Sequence, residues 1–246
     1  MADTTDTPDA GASSTWPQEP PAQILLVVSL ASAVVFVSGG GFLPFILIGL
    51  AMPWVTTAYV ATRHGEAQLL APAVGERSIV GLGGMLLYPA MAFRALFDTD
   101  FDATLVGIAI PCLLLGAACL GAWLWADTVA RTRPVMVAAL ALQALTWGVG
   151  AGVFVNVRFD RSTPEVVEAR VVETARSTSP RRRAFPRYSL SFERFGTVMV
   201  PEAVFGSLRA GSLACVQRHD GRLGITWLSV ERCPRPPRAT STPATK

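Results

Sequence analysis

The residue types that most often carry chemistry are sparse in this chain and badly placed for it. His64 and His219 are the only histidines, and neither has a cysteine or carboxylate neighbour at metal-ligand spacing. A zinc site needs a closed set of such ligands, so no metal is expected. His219, beside Asp220-Gly221, reads as a turn residue. No Gly-x-Ser-x-Gly elbow, P-loop or His-Glu-x-x-His pair occurs. No catalytic residue and no cofactor are therefore expected, and the chain reads as a non-enzyme. Gly81-Leu82-Gly83-Gly84 imitates a phosphate loop, but it opens an apolar run instead of following a strand, which suits close helix packing better.

Three features remain as candidates for contact. Arg181-Arg182-Arg183, with Arg187 close by, lies in a Ser/Pro-rich stretch and could meet phosphate, on lipid headgroups or on nucleic acid; the plain alternative is a solvated loop. Tyr188, Phe192 and Trp227 could stack on bases, but their alternation with polar residues points them inward, so no nucleic acid is expected. The cysteines form two pairs. Cys112 and Cys119 share one face of an apolar run and read as small core residues. Cys215 and Cys233 flank the last strand. If the Asp220-Gly221 turn sets residue 219 opposite 222, Cys215 faces Thr226, and a Cys215–Cys233 disulfide requires the last segment to bend back. Two thiols in one small domain favour an oxidising compartment.

The elements that must carry these residues follow from composition. The chain has 246 residues, 51% hydrophobic and only 16% charged, with a mean hydropathy of +0.41. An ordinary soluble domain is about 25% charged. Arg outnumbers Lys 20 to 1, a bias that fits a GC-rich bacterial genome. Residues 1–156 hold 5 Arg against 10 acidic residues, whereas residues 157–246 hold 15 Arg and Lys246 against 8. Two halves with such different character are made for two solvents.

Residues 1–22, rich in Thr, Ser, Pro and Asp, read as a disordered acidic tail. Without a basic n-region, the apolar run behind it reads as a retained span and not a signal peptide. Continuous apolar runs then predict spans at about 23–39, 42–61, 79–97, 103–125 and 134–156, with four as the alternative count because the third run is interrupted by Gly81, Gly83, Gly84 and Pro89. Ser38-Gly39-Gly40-Gly41 separates the first two. Trp123, Trp125 and Asn156 mark span ends. No ionisable residue lies mid-span; Arg94, near an end, can pair with Asp98 one turn on, and Gln143 and Thr146 are the most polar residues of the last span. Gly148-x-x-x-Gly152 and Ala117-x-x-x-Gly121 allow close helix approach, by default within the chain, with homo-oligomer contact through Gly148 and Gly152 as the other reading.

Beyond Asn156 the pattern alternates with period two, as in half-buried strands. Strands are predicted around 167–171, 188–192, 197–200, 212–218 and 223–230, with a short helix over 201–208; Thr163-Pro164-Glu165 could also start a helix. That order fits a small all-β or OB-like domain over 157–233, followed by a disordered tail over 234–246. In such a barrel the 174–187 loop and the 219–221 turn are expected to be neighbours. Arginines are balanced across the membrane (Arg63, Arg77, Arg131 and Arg133 against Arg94, Arg158, Arg161 and Arg170), so the positive-inside rule gives no orientation. The basic tail favours a cytoplasmic β domain; the cysteine pair favours a periplasmic one, which is the expectation taken.

The stretch Asn156-Val-Arg-Phe-Asp160, with Val171-Val172, Tyr188-Ser-Leu190, Gly211-Ser-Leu-Ala-Cys215-Val216 and Gly221-Arg-Leu-Gly224-Ile-Thr-Trp227, resembles uncharacterised bacterial multi-pass membrane proteins that end in a small β domain. The resemblance covers about the last 90 residues and implies architecture, with no activity to transfer. The expectation is thus an inner-membrane protein whose helical bundle anchors a β module that contacts a protein or envelope component, the lipid bilayer being its other partner. The alternative is a small-molecule or lipid permease that uses the bundle, with Gln143 and Arg94 on its path.

Overall fold

The computed structural model describes residues 20–38, 43–63, 67–69, 78–79, 83–177 and 187–233. In chain order the elements are α1 (Pro20–Ser38), α2 (Leu43–Thr62), β1 (Ala67–Gln68), β2 (Ser78–Ile79), α3 (Gly84–Phe97), β3 (Asp100–Phe101), α4 (Leu105–Ala126), α5 (Thr128–Arg131) and α6 (Pro134–Arg158). The second half follows as β4 (Glu165–Ser177), β5 (Arg187–Phe192), β6 (Gly196–Val200), α7 (Glu202–Ser207), β7 (Leu213–His219) and β8 (Trp227–Glu231).

Apolar runs become helices because a segment in hydrocarbon must satisfy its own backbone. Four of them, α1, α2, α4 and α6, are long and apolar enough to cross a membrane. They match the expected runs within a few residues, except that α1 already starts at Pro20, inside the stretch expected to be tail. The rest of that stretch, residues 1–19, and residues 234–246 lie outside the described residues. The 79–97 expectation is corrected: helix begins only at Gly84, and Ser78–Ile79 pairs in parallel with Ala67–Gln68. Glycine weakens a helix, and Gly83 packs so closely on α1 that a Cβ there would lie 2.5 Å from that of Ser29.

Helix α6 is the hub of the bundle: 56% of its most apolar window is buried, against 17% for α4, which turns Leu105, Val106 and Leu114 outward. Glycines set the α4–α6 approach. A Cβ on Gly148 would collide with the Cys112 carbonyl and stand 2.8 Å from the Gly116 nitrogen, and one on Gly152 would stand 2.7 Å from Cys112 Sγ. Gly148 and Gly152 thus pack inside the chain, which is the default reading of these motifs. Cys112 and Cys119 are buried, as small core residues should be.

Pro53 explains another contact. It sits inside α2 and has no N–H for the carbonyl four residues earlier, that of Gly49. Trp147 Nε1 of α6 donates to this Gly49 oxygen at 3.1 Å. Thr56 and Thr57 hydroxyls and Trp123 Nε1 donate to the Pro53 carbonyl, so the break is saturated on both sides.

The second half forms a nearly closed antiparallel barrel. Its sheet order is β3-β8-β7-β4-β5-β6, with β6 and β8 approaching each other across the remaining seam. Inward residues of alternating strands make the core, among them Val171, Leu190, Val198 and Val216. Tyr188 and Phe192 join it, as their alternation predicts. Thr163-Pro164 leads into strand, not helix.

Strand β3 was not expected. It comes from the α3–α4 connection and pairs with β8, Asp100 opposite Leu228 and Phe101 opposite Trp227. Asp100 Oδ2 also accepts from the Met199 nitrogen of β6 at 2.6 Å, so one bundle residue bridges the barrel seam. Arg218 of β7 pairs with Asp102 at 2.9 Å, and Arg94 pairs with Asp98 at the foot of this connection.

If Trp147 serves the Gly49 carbonyl, Trp147→Phe should lower stability in detergent by about 1–3 kcal/mol by orphaning that oxygen. Pro53→Ala, which restores a backbone donor, should recover part of the loss in the double variant. Equal losses with and without Pro53, read from thermal unfolding, would refute the pairing.

Candidate functional site

The polar centre of the molecule is the junction where α6 ends and the barrel begins. Asn156 lies on the last turn of α6 with no exposed surface. Its Nδ2 donates to the Ile225 carbonyl at 2.7 Å, and its Oδ1 accepts from the Leu223 and Ile225 nitrogens at 2.9 and 3.3 Å. Its own carbonyl accepts from the Arg222 nitrogen. Gly221, at φ +72°, lies against this amide so tightly that any Cβ would collide with both of its polar atoms. Glycine suits the position in both dihedral and space.

Asp160, two residues after α6, holds the other side of the same loop. Its Oδ2 accepts from the Gly221 nitrogen at 3.2 Å and Trp227 Nε1 at 3.0 Å, and its Oδ1 from the Ser162 nitrogen at 2.8 Å. Burial pushes the Asp160 carboxyl up, but the hydrogen bonds from Ser162, Trp227 and Gly221 together hold it below its ordinary value. The His219 ring lies flat on Trp227, centroids 3.9 Å apart and planes within 9°. Burial lowers the His219 pKa, which nearby Asp160 and Glu231 only partly offset.

This corrects two expectations. His219 is the last residue of β7 and not part of the turn, and it pairs across the ladder with Trp227, not with residue 222. The connection is longer than an Asp-Gly turn because Asn156 and Asp160 draw residues 221–225 out of the ladder. The shifted register sets Cys215 opposite Glu231 and brings Cys233 round to it; the two cysteines are joined as a disulfide. Glu168 comes within 4.8 Å of these sulfurs, but sulfurs bonded to each other do not offer thiolate ligands.

His219 also touches Ser229, Nε2 to Oγ at 3.0 Å. With Asp160 this has the composition of a hydrolytic triad, but not the geometry. Nδ1 stands 3.9 Å from Asp160 Oδ2, beyond hydrogen bonding, and that oxygen already serves Gly221 and Trp227. Ser229 instead continues a ladder of polar side chains through Gln217 to Glu231. The arrangement holds a loop in place.

The basic candidates lie elsewhere. Arg181, Arg182 and Arg183 fall outside the described residues, and Arg187 opens β5 opposite Ser177. Glu165, at the other end of β4, pairs with Arg218 beside His219. Along β4, His219 and the described flanks of the basic loop, Ser177 and Arg187, lie toward opposite ends of the strand; the 178–186 segment, and with it the expected neighbourhood of loop and turn, lies outside the described residues. Asn156, Asp160 and Asp100 were missed as site residues. Asn156 marked a span end and opened the stretch Asn156-Val-Arg-Phe-Asp160, neither of which gave it a role, and Asp100 carried no signal beyond its place between two apolar runs. Comparison with known protein families, curated proteins and solved structures finds no match to this chain.

Asp160 and His219 both hold their protons more weakly in the folded protein, so acid should loosen the junction. The His219 share should fade as pH falls below about 6.5, and the Asp160 share only below about 4. Hydrogen exchange over residues 220–226, corrected for intrinsic rates, should quicken between pH 7 and 5. His219→Phe, which keeps the stack on Trp227, should abolish this first step. A step that persists in His219→Phe would assign it to another group.

Proposed function

We propose that the chain is a bacterial inner-membrane protein whose helical bundle, including α3 as a fifth segment, holds an OB-like β module for contact with a protein or envelope component. The observation that carries this reading is the two-point fastening of the barrel. Asn156 and Asp160 grip the 221–225 loop, while Asp100 to Asp102 grip β8, β6 and Arg218. A module fastened at several points holds the rest of its surface in a constant pose. The candidate contact surface is where β4 and β5 meet at Ser177 and Arg187, with Arg176 over the Tyr188 ring. The Arg181-Arg182-Arg183 run continues from it in sequence. His219, stacked on Trp227, leaves the contact surface.

The strand order, in which the first strand of the barrel pairs with the second and fourth and a helix separates the third from the fourth, supports the OB-like reading. The bonded Cys215–Cys233 pair supports a periplasmic module, since such bonds persist in oxidising compartments.

Replacing Arg181, Arg182 and Arg183 with Ser should remove the adducts formed by a photo-crosslinker at Arg176 in intact cells, with the barrel's unfolding temperature unchanged. Adducts that survive the replacement would exclude the basic end as the contact surface. For the compartment, a membrane-impermeant thiol reagent should label Cys215 and Cys233 in intact cells only after impermeant reduction. Labelling confined to lysed cells, with denatured controls reactive, would put the module in the cytoplasm.

A further inference from the structure

One group of metal-ligand side chains lies away from the junction, on the outer face of the barrel. Glu168 of β4 stands opposite Cys215 of β7, and Cys215 opposite Glu231 of β8. Directly opposed residues point to the same side of a sheet, so these three form one row across adjacent strands. Ala214 and Val216, on either side of Cys215, belong to the core, which turns the row outward. Cys233, two residues beyond Glu231, reaches Cys215 and is bonded to it.

The disulfide accounts for both cysteines but not for Glu168. Its side chain is exposed and makes no ion pair among the described residues. One of its carboxylate oxygens and the two sulfurs all lie within 4.8 Å of one another. On the other side of Cys215 stands a second carboxylate, Glu231, held by Gln217 Nε2 at 3.0 Å. Two acids thus flank one pair of sulfurs, and among the described residues no arginine pairs with either.

Reduction changes what this group offers. Cys233 is the less buried of the two cysteines and so the one a dithiol reaches. The dithiol's thiolate attacks Cys233 Sγ, and the S–S electron pair leaves on Cys215, which takes a proton. The second thiol of the reductant then displaces Cys233, which also takes a proton, and the reductant departs as its own disulfide. Two thiols and a carboxylate then face one point.

That set suits Zn2+. With bonds of about 2.3 Å to sulfur and about 2.0–2.2 Å to oxygen, a tetrahedral Zn2+ spaces its ligand atoms about 3.5–3.8 Å apart. This lies inside the 4.8 Å reach of the group. Cys233 follows the end of β8, so its sulfur parts from Cys215 without breaking the ladder. Ca2+ and Mg2+ take oxygen ligands instead, and thiolates select softer ions.

We infer that Glu168, Cys215 and Cys233 form a redox-gated Zn2+ site. The reduced pair binds the ion through two thiolates and one carboxylate oxygen, with water in the fourth position, and binding releases the two thiol protons. Reoxidation by a disulfide acceptor passes it two electrons, closes the Cys215–Cys233 bond and expels the ion. In both states β7 stays tied to the end of β8, so the gate works without opening the barrel.

The test uses the full chain in detergent, reduced by a phosphine, with Co2+ as optical probe and Zn2+ as competitor. The reduced chain should bind Co2+ with sulfur-to-metal charge-transfer absorption, which an equivalent of Zn2+ should abolish. The oxidised chain, which keeps Cys112 and Cys119 free, should show none. Glu168→Gln should weaken the binding by about tenfold or more, while its disulfide still forms. Loose thiols of an unfolded barrel would bind without regard to Glu168, so this variant separates a built site from them. A further readout needs no variant: Zn2+ should shield Cys215 and Cys233 of the reduced chain from alkylation. Absence of charge-transfer absorption after reduction, equal absorption in the oxidised chain, or undiminished binding by Glu168→Gln would each overturn the inference. None of these outcomes bears on the barrel's contact surface.

Discussion

Asn156 spends its entire side chain on someone else's backbone. Buried completely at the end of the central helix, it meets three polar groups of residues 223–225, and its own carbonyl meets a fourth at Arg222. A carboxamide suits this because it donates and accepts through one rigid plane. Without it, a connecting segment pressed against a helix end would bury its own N–H and C=O groups unpaired, at a cost of about 1–3 kcal/mol each. The loop conformation follows from that contact, then the register of β7 with β8, then the meeting of Cys215 with Cys233. One amide thus determines how the barrel ends.

The same chain of cause explains what could be read from the residues alone. Continuous apolar runs and period-two alternation are local signals, and they locate the long helices and the order strand, strand, strand, helix, strand, strand. Register is not local. Asp220-Gly221 carries a strong turn signal, and Gly221 does take a positive φ, yet the two-residue turn loses to hydrogen bonds reaching back more than 60 positions to Asn156 and Asp160. Cys215 and Cys233 could be paired only once that register was known. The shortened α3 belongs to the same class: three glycines near its start signal a weak helix, but only its contacts with Ser29 and Gln143 show how far it retreats. Of the site, His219 could be singled out as a residue, but its stack on Trp227 could not, because the stack depends on the shifted ladder.

Backbone saturation also organises the bundle. Pro53 removes a donor from α2, and the indole of Trp147, distant in sequence, returns it. Gly148 lets α6 and α4 approach backbone to backbone, and Gly152 makes room for the Cys112 thiol. Both devices replace what hydrophobic burial cannot supply between helices in lipid. Among the described residues, Ser32 Oγ of α1 and Gln143 Nε2 of α6 are where this economy stops short.

Strand β3 carries a consequence for how the protein is made. The barrel borrows Asp100 and Phe101 from a connection between two helices, and their partners lie on β8 and β6. The ribosome finishes that connection long before it reaches Trp227. Throughout that interval the Asp100–Phe101 edge has no ladder to join, and an uncovered edge pairs readily with whatever strand it meets. Asp98, Asp100 and Asp102, three charges in five residues, make such a premature match unfavourable. The acidic linker is then a placeholder during biogenesis, keeping an edge solvated until the last strand of its own chain arrives.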